Sequence, residues 1–139
     1  MNIRPSFLLA AALAILSLPA TGRTTDAVRK VVPIQFAVMF DMGDPVASTA
    51  ACTIGMRCEL LQAQLLAMEI SLKVDEDHDR FISELELHCS EGCSFSSGQT
   101  RMIFGNERQF DFYTGREPIV MSLVLRPRLR IGRILLIYP

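Results

Sequence analysis

The sequence has little net charge, few histidines and no apolar run long enough to cross a membrane. Its formal net charge is −1, which excludes the strongly basic balance of a general nucleic-acid-binding protein. The apolar run at residues 7–18 is shorter than the about 20 residues that a transmembrane helix needs. The G-x-S-x-G nucleophile elbow and the H-E-x-x-H zinc helix are both absent. We therefore predict a protein that is not an enzyme, with an enzyme of unknown type as the lesser alternative.

The N-terminus has the three parts of a secretory signal peptide. Arg4 precedes the apolar run, and the small residues Ala20 and Gly22 follow it. We predict cleavage after Gly22, with Ala20 as the alternative. The chain then consists of a cleaved signal peptide, 1–22, and a single exported domain, 23–139. That domain is expected in the periplasm or outside the cell, with no transmembrane segment in the mature chain.

The four cysteines indicate two disulfides in an exported protein. Their close spacings favour the pairs Cys52–Cys58 and Cys89–Cys93, although four cysteines allow three connectivities. A zinc site formed by all four thiolates is the alternative, and it lacks the usual C-x2-C spacing.

Alternating apolar and polar residues predict several short β-strands. The clearest runs are 34–40, 68–74 and 81–89, and shorter apolar segments follow at 102–104, 110–113, 119–125 and 129–138. Turn-forming residues separate these segments, so we predict an all-β fold, a small antiparallel β-sandwich or barrel with two disulfides. Residues 41–58 are predicted to form a long loop. Good helix formers at 59–67 make one short helix an option there.

Two of the predicted strands form a consistent hairpin. Pairing Val74 with Phe81 and Ile70 with Leu85 places apolar side chains opposite one another on one face. The loop between the strands is predicted to cover residues 75–80. Further along the chain, residues 90–92 are predicted to form a three-residue turn with Gly92 in the left-handed conformation.

Asp75, Asp77 and Asp79 alternate at the start of the acidic stretch 75–86, and Glu86 ends it. This pattern resembles an EF-hand calcium-binding loop. This local resemblance covers only residues 75–87, and it implies calcium as a cofactor. Oxygen ligands fall at the spacing of that loop, with the carbonyl of Phe81 at the seventh position and a bidentate glutamate at the twelfth. The implied ligands are Asp75, Asp77, Asp79, Phe81, Ser83 and Glu86. Arg80 stands where the family has glycine, and the flanking residues have strand periodicity. A solvated hairpin loop without a cofactor is the alternative interpretation.

A row of arginines lies near the C-terminus. Arg126, Arg128 and Arg130 share one face of an extended segment and form a candidate anion-binding site for sulfate, phosphate or carboxylate groups. The alternative is the solvent face of an edge strand protected by charge. Residues 75–91 contain seven acidic side chains and residues 101–133 contain seven arginines, so these segments are also expected to attract each other.

These observations lead to two main hypotheses on function. The first is a small exported β-sandwich that acts as a non-catalytic binding or interaction module, with another envelope protein or an anionic surface as its partner. The second is a calcium-binding protein that uses the acidic loop.

Overall fold

The computed structural model describes residues 28–64, 67–116 and 128–139. The described chain is nearly all β, which confirms the predicted fold class. Its strands are β1 (Val31–Phe40), β2 (Val46–Thr53), β3 (Arg57–Ala63), β4 (Met68–Asp77), β5 (Arg80–Cys89), β6 (Cys93–Phe95), β7 (Arg101–Phe104), β8 (Gln109–Thr114) and β9 (Arg130–Ile137).

The strands form two antiparallel sheets in a sandwich-like arrangement. The five-stranded sheet has the order β2-β1-β9-β8-β6, and the four-stranded sheet has the order β3-β4-β5-β7. The hairpins β1–β2, β3–β4 and β4–β5 join strands that follow one another in sequence. The C-terminal strand β9 pairs with both β1 and β8, so it lies in the middle of the larger sheet.

The core lies between the inner faces of the two sheets. Every second residue of β4 is buried, from Met68 to Val74, and the same alternation holds in β1 and β9. Phe95 and Phe112 are the largest of the fully buried side chains. Burying one side chain of this size stabilises the fold by about 1.5–3 kcal/mol relative to exposure. The predicted period-2 segments therefore form the core as expected.

Both favoured disulfides are present, and each joins one sheet to the other. Cys52 of β2 is bonded to Cys58 of β3, with the Cα atoms 5.4 Å apart. Cys89 of β5 is bonded to Cys93 of β6, with the Cα atoms 5.6 Å apart. The four-thiolate zinc alternative is wrong, because all four sulfurs form these disulfides. Gly92 has φ 84° in the turn that the second disulfide closes, as predicted.

The predicted loop at 41–58 is wrong, because β2 lies within it. Residues Val46–Thr53 pair with β1 along their full length. The residues of β2 are small or hydroxylated, so the segment lacks the strong apolar alternation that marks a half-buried strand. An edge strand does not need that alternation, since most of its side chains stay exposed.

The optional helix over 59–67 is also wrong. Residues Arg57–Ala63 form β3, which pairs with β4 around a bulge between Glu59 and Leu61. Residues 65 and 66 lie outside the described residues. Pairing with β4 and burial of Leu60 outweigh the helical propensity of this short segment.

The β4–β5 hairpin forms with a different register from the one predicted. Val74 lies opposite Ser83, not Phe81, so the pairing is shifted by two residues. The cause is the turn. His78 and Asp79 have φ 45° and 64°, and positive φ at both central residues is typical of the two-residue turns that connect antiparallel strands. A shift of two residues leaves each side chain on its predicted face.

Some predictions fall outside the described part of the chain. These are the signal peptide at 1–22, the strand at 119–125 and the placement of Arg126. Within the described ranges, no helix has the length and apolar composition needed to cross a membrane.

Candidate functional site

The predicted calcium ligands are distributed along the β4–β5 hairpin. Asp75 and Asp77 lie on β4, Asp79 lies in the turn, and the others lie on β5. Because the strands continue to Asp77 and Arg80, the chain does not curl around a central point as a calcium loop does. Asp75 forms an ion pair with Lys73 at 2.9 Å, and Asp77 contacts the ring of His78.

The remaining predicted ligands contact other groups of the protein. Phe81 stacks on Tyr138 with ring centroids 5.6 Å apart, and the buried Ser83 accepts a hydrogen bond from the Tyr138 hydroxyl. Glu86 forms ion pairs with Arg57 at 2.7 Å and Arg101 at 3.0 Å. Among the described residues, no three His, Cys, Asp or Glu side chains are grouped so that they could hold a metal ion. Calcium binding stays a prediction that no contact of this hairpin favours.

The described arginines of the C-terminal row form intramolecular contacts. Arg130 contacts both carboxylate oxygens of Asp41 at 2.9 Å, which raises the pKa of its guanidinium above the ordinary value. Arg128 donates hydrogen bonds to the carbonyls of Thr114 at 2.7 Å and Gly115 at 3.0 Å. Both guanidiniums therefore hold strands and loops together. Anion binding by this row stays a prediction.

The outer face of the four-stranded sheet is polar and charged. Arg57 and Arg101 each contact Glu84 and Glu86, with Arg57–Glu86 at 2.7 Å and Arg101–Glu84 at 3.6 Å. A shallow depression of ≈ 620 Å³ lies beside this cluster and is lined by Glu59, Gln62, Glu69, Ser71 and His88 together with Arg57, Cys58 and Glu86. Opposite charges neutralise each other here, across β4 in the pairs of Arg57 and between the neighbouring strands β5 and β7 in the pairs of Arg101. Such pairs are typical of a solvated sheet surface. Arg101 belongs to the basic segment 101–133, and its partners Glu84 and Glu86 belong to the acidic segment 75–91. These ion pairs are the predicted attraction between the two segments.

The outer face of the five-stranded sheet is different, because much of it is uncharged. Alternate residues of β1 and β9 are buried, so the residues between them point outward. The strand register places β2 side chains beside them on the same face. We call this surface the apolar face, and it consists of Val31, Pro33, Gln35, Ala37, Met39, Ala47, Thr49, Ala51, Thr53, Leu135 and Ile137.

Several large side chains on the apolar face are open to solvent. Val31 is 55% exposed, Met39 40% and Ile137 60%. Between Gln35 and Leu135 lies a shallow depression of ≈ 370 Å³, which forms where the small Ala37 meets its neighbours on β2 and β9. An apolar side chain from another molecule would fit against such a depression.

An ion pair marks one border of the apolar face. Arg133 lies beside Met39 in the sheet and contacts both carboxylate oxygens of Asp111 on β8, at 2.6 Å and 3.0 Å. The hydrogen bond from Arg133 lowers the pKa of Asp111, which keeps this pair charged near neutral pH. The uncharged surface therefore ends at Arg133 on β9 and Asp111 on β8, and it extends in the opposite direction to the edge strand β2.

Sequence reasoning missed the apolar face, although part of the signal was present. The period-2 run at 34–40 places Ala37 and Met39 on the face opposite to Ile34, Phe36 and Val38, and Leu135 and Ile137 belong to a continuous apolar run. The missing information was the adjacency of β1, β9 and β2, because only pairing places these side chains on one surface.

A scan against protein-family models finds no match for this chain, and searches of curated proteins and of solved structures likewise return no similar protein.

Proposed function

We propose that the protein is an exported, non-catalytic interaction module whose contact surface is the apolar face. The observation that carries this proposal is the uncharged surface formed by β2, β1 and β9. An antiparallel sheet with one face in water ordinarily alternates apolar-in and polar-out, as the four-stranded sheet does here. An exposed sheet face without charged side chains, on which Val31, Met39 and Ile137 are open to solvent, favours a role in binding another molecule.

The chemistry of the apolar face favours a protein partner with an apolar surface of its own. The depression between Gln35 and Leu135 suits a single inserted side chain at the centre of a contact. A lipid surface is less suited, because Arg133 at the border is already paired with Asp111. The chain also contains no tryptophan, a residue that many interfacial membrane segments use as an anchor.

Two observations support export as part of the proposal. Both pairs of cysteines are oxidised, and structural disulfides persist in the periplasm and outside the cell. Both disulfides also join the two sheets, so loss of the oxidised state would loosen the scaffold that presents the apolar face.

Site-specific photo-crosslinking in the cell that makes the protein tests this proposal. A photoreactive residue at Ala37, in the centre of the apolar face, is expected to give a discrete protein adduct. The same residue at Ser71, in the centre of the opposite outer face, is the matched control and is expected to give none. Introducing Leu135→Asp beside the crosslinker should abolish the adduct, because a charge would have to be buried in the contact.

Three results would contradict the proposal. They are equal adducts from Ala37 and Ser71, adducts with lipid alone, and an Ala37 adduct that persists with Leu135→Asp. Circular dichroism and thermal unfolding of each variant show whether the sandwich is intact.

A further inference from the structure

The edge of β2 lacks the features that normally keep sheet edges from pairing with other chains. Such features include short length, charges, proline and bulges. Among the described edge strands, β6 has only 3 residues, β7 has 4 residues and carries Arg101, and β3 carries a bulge together with Arg57 and Glu59. By contrast, β2 has 8 residues without a charged side chain, a proline or a register shift.

The backbone groups that β2 presents at its edge can be assigned from one hydrogen bond. The amide of Ile54 donates to the carbonyl of Lys30 at 2.9 Å, just beyond the paired residues of β1 and β2. Hydrogen-bonded pairs alternate with non-bonded pairs in an antiparallel ladder. Ser48 and Ala50 therefore bond to β1, and the amides and carbonyls of Ala47, Thr49 and Ala51 point away from it.

We propose that a second copy of this chain pairs with β2 in the antiparallel direction, across a two-fold axis at Thr49. In that register Thr49 lies opposite Thr49 of the second copy, and Ala47 lies opposite Ala51 of the second copy. Each of these residues would donate one backbone hydrogen bond and accept one, so the outward-pointing groups become paired. The two five-stranded sheets would then form one continuous sheet.

The side chains of β2 suit pairing with themselves. A two-fold axis at Thr49 places this residue opposite its own copy, so a charge at position 49 would face a like charge. The facing residues are instead threonines and alanines, and cross-strand threonine pairs are favourable in antiparallel sheets. This self-complementarity favours a second copy over an extended segment of unrelated sequence.

This inference is independent of the proposed function. It rests on backbone groups along one strand edge, whereas the proposed function rests on side chains of the apolar face. Pairing through β2 would also place the apolar faces of two copies side by side, because Ala47, Thr49 and Ala51 belong to both features.

Sedimentation analysis of the purified protein tests the inference with paired variants. The native protein is expected to be a dimer. Thr49→Pro removes the outward amide and leaves the hydrogen bonds between β1 and β2 in place, so it should weaken the dimer roughly tenfold or more. Thr49→Ala keeps the amide and should remain a dimer.

A charge exchange at the same position tests the two-fold register. Thr49→Lys alone and Thr49→Glu alone should each be monomers, because like charges would face each other. An equimolar mixture of the two variants should restore dimers. Gln35→Lys adds a charge to the apolar face one strand away from the edge, and it should remain a dimer.

Several outcomes would overturn the inference. They are a native protein that stays monomeric at high concentration, a mixture of the charged variants that stays monomeric, and dissociation by Gln35→Lys. If Thr49→Pro fails to fold, the charge exchange decides the question. Crosslinking results at Ala37 do not affect this test, so the two proposals can fail separately.

Discussion

The hydroxyl of Tyr138 donates a hydrogen bond of 2.7 Å to the hydroxyl of Ser83, and this bond connects the two sheets. Tyr138 follows β9 of the five-stranded sheet, and Ser83 lies on β5 of the four-stranded sheet. Ser83 is buried, with only 1% of its surface exposed. The side chain that the sequence suggests as a calcium ligand is thus part of the contact between the sheets.

Removing the Tyr138 hydroxyl should change how stability depends on pH in alkaline solution. Burial raises the pKa of Tyr138 above its ordinary value, and the hydrogen bond with Ser83 partly opposes that rise. The unfolded chain therefore releases this proton at lower pH than the folded protein does. The stability contributed by the neutral phenol is fully present below about pH 10 and is lost as pH rises through the folded pKa.

We accordingly expect the free energy of unfolding of the native protein to fall more steeply above about pH 10 than that of Tyr138→Phe. Urea unfolding at a series of pH values measures this difference. Ser83→Ala is the companion variant, because loss of the hydrogen bond should raise the pKa of Tyr138 further in a spectroscopic titration. Equal slopes for the native protein and Tyr138→Phe would contradict the assignment.

Replacing Gly132 should destabilise the five-stranded sheet. A Cβ atom at this position would lie 2.3 Å from the carbonyl oxygen of Met39 and 3.1 Å from the Cα atom of Phe40. Both are backbone atoms of β1, so the central strands would have to separate. We expect Gly132→Ala to lower the free energy of unfolding by about 1–3 kcal/mol or more.

Gly105→Ala is the matched control for this prediction. An added Cβ there meets no atom within 4 Å, so its effect should stay within about 0.5 kcal/mol. Chemical denaturation of both variants gives the comparison. Equal stability of the two would show that β1 and β9 do not approach as closely as the structure indicates.

Calcium should leave the melting temperature unchanged up to millimolar concentration. The carboxylates of Asp75 and Asp77 lie along a strand, and Glu86 is held by two arginines, so these oxygens do not surround a common point. Asp75→Ala should therefore respond to calcium as the native protein does. Glu91→Ala is the control, because it removes an exposed acidic group outside the loop. It shows whether an effect of calcium comes from general screening of negative charge.

A saturable rise in melting temperature that Asp75→Ala abolishes and Glu91→Ala retains would contradict this expectation. Such a result would show that the turn rearranges to bind calcium and would favour the calcium-binding hypothesis. Calorimetric titration measures the same event directly.

The predictable part of this fold comes from local patterns. In β4 the alternation from Met68 to Val74 identifies both the strand and its buried face, because side chains of a strand point to opposite sides in turn. The two disulfides join the cysteines that lie closest together in the sequence. Neither inference needs knowledge of distant partners.

The features that were mispredicted depend on contacts between distant residues. The segment Arg57–Ala63 has helical composition, yet pairing with β4 and burial of Leu60 make it a strand. Val46–Thr53 has weak periodicity, yet an edge position beside β1 suits it. In the β4–β5 hairpin, the acidic composition predicted a loop over residues 75–80. The left-handed conformations of His78 and Asp79 instead give a two-residue turn.

The sequence by itself determined which side chains share a strand face and which cysteines lie close enough to bond, because both properties depend on local geometry. The tertiary structure alone decided that β9 lies between β1 and β8. That placement brings Leu135 and Ile137 beside Ala37 and β2, and it leaves an uncharged surface on the outside of the larger sheet. The pairing of strands distant in sequence depends on the summed packing of the whole core, which no local pattern of residues specifies.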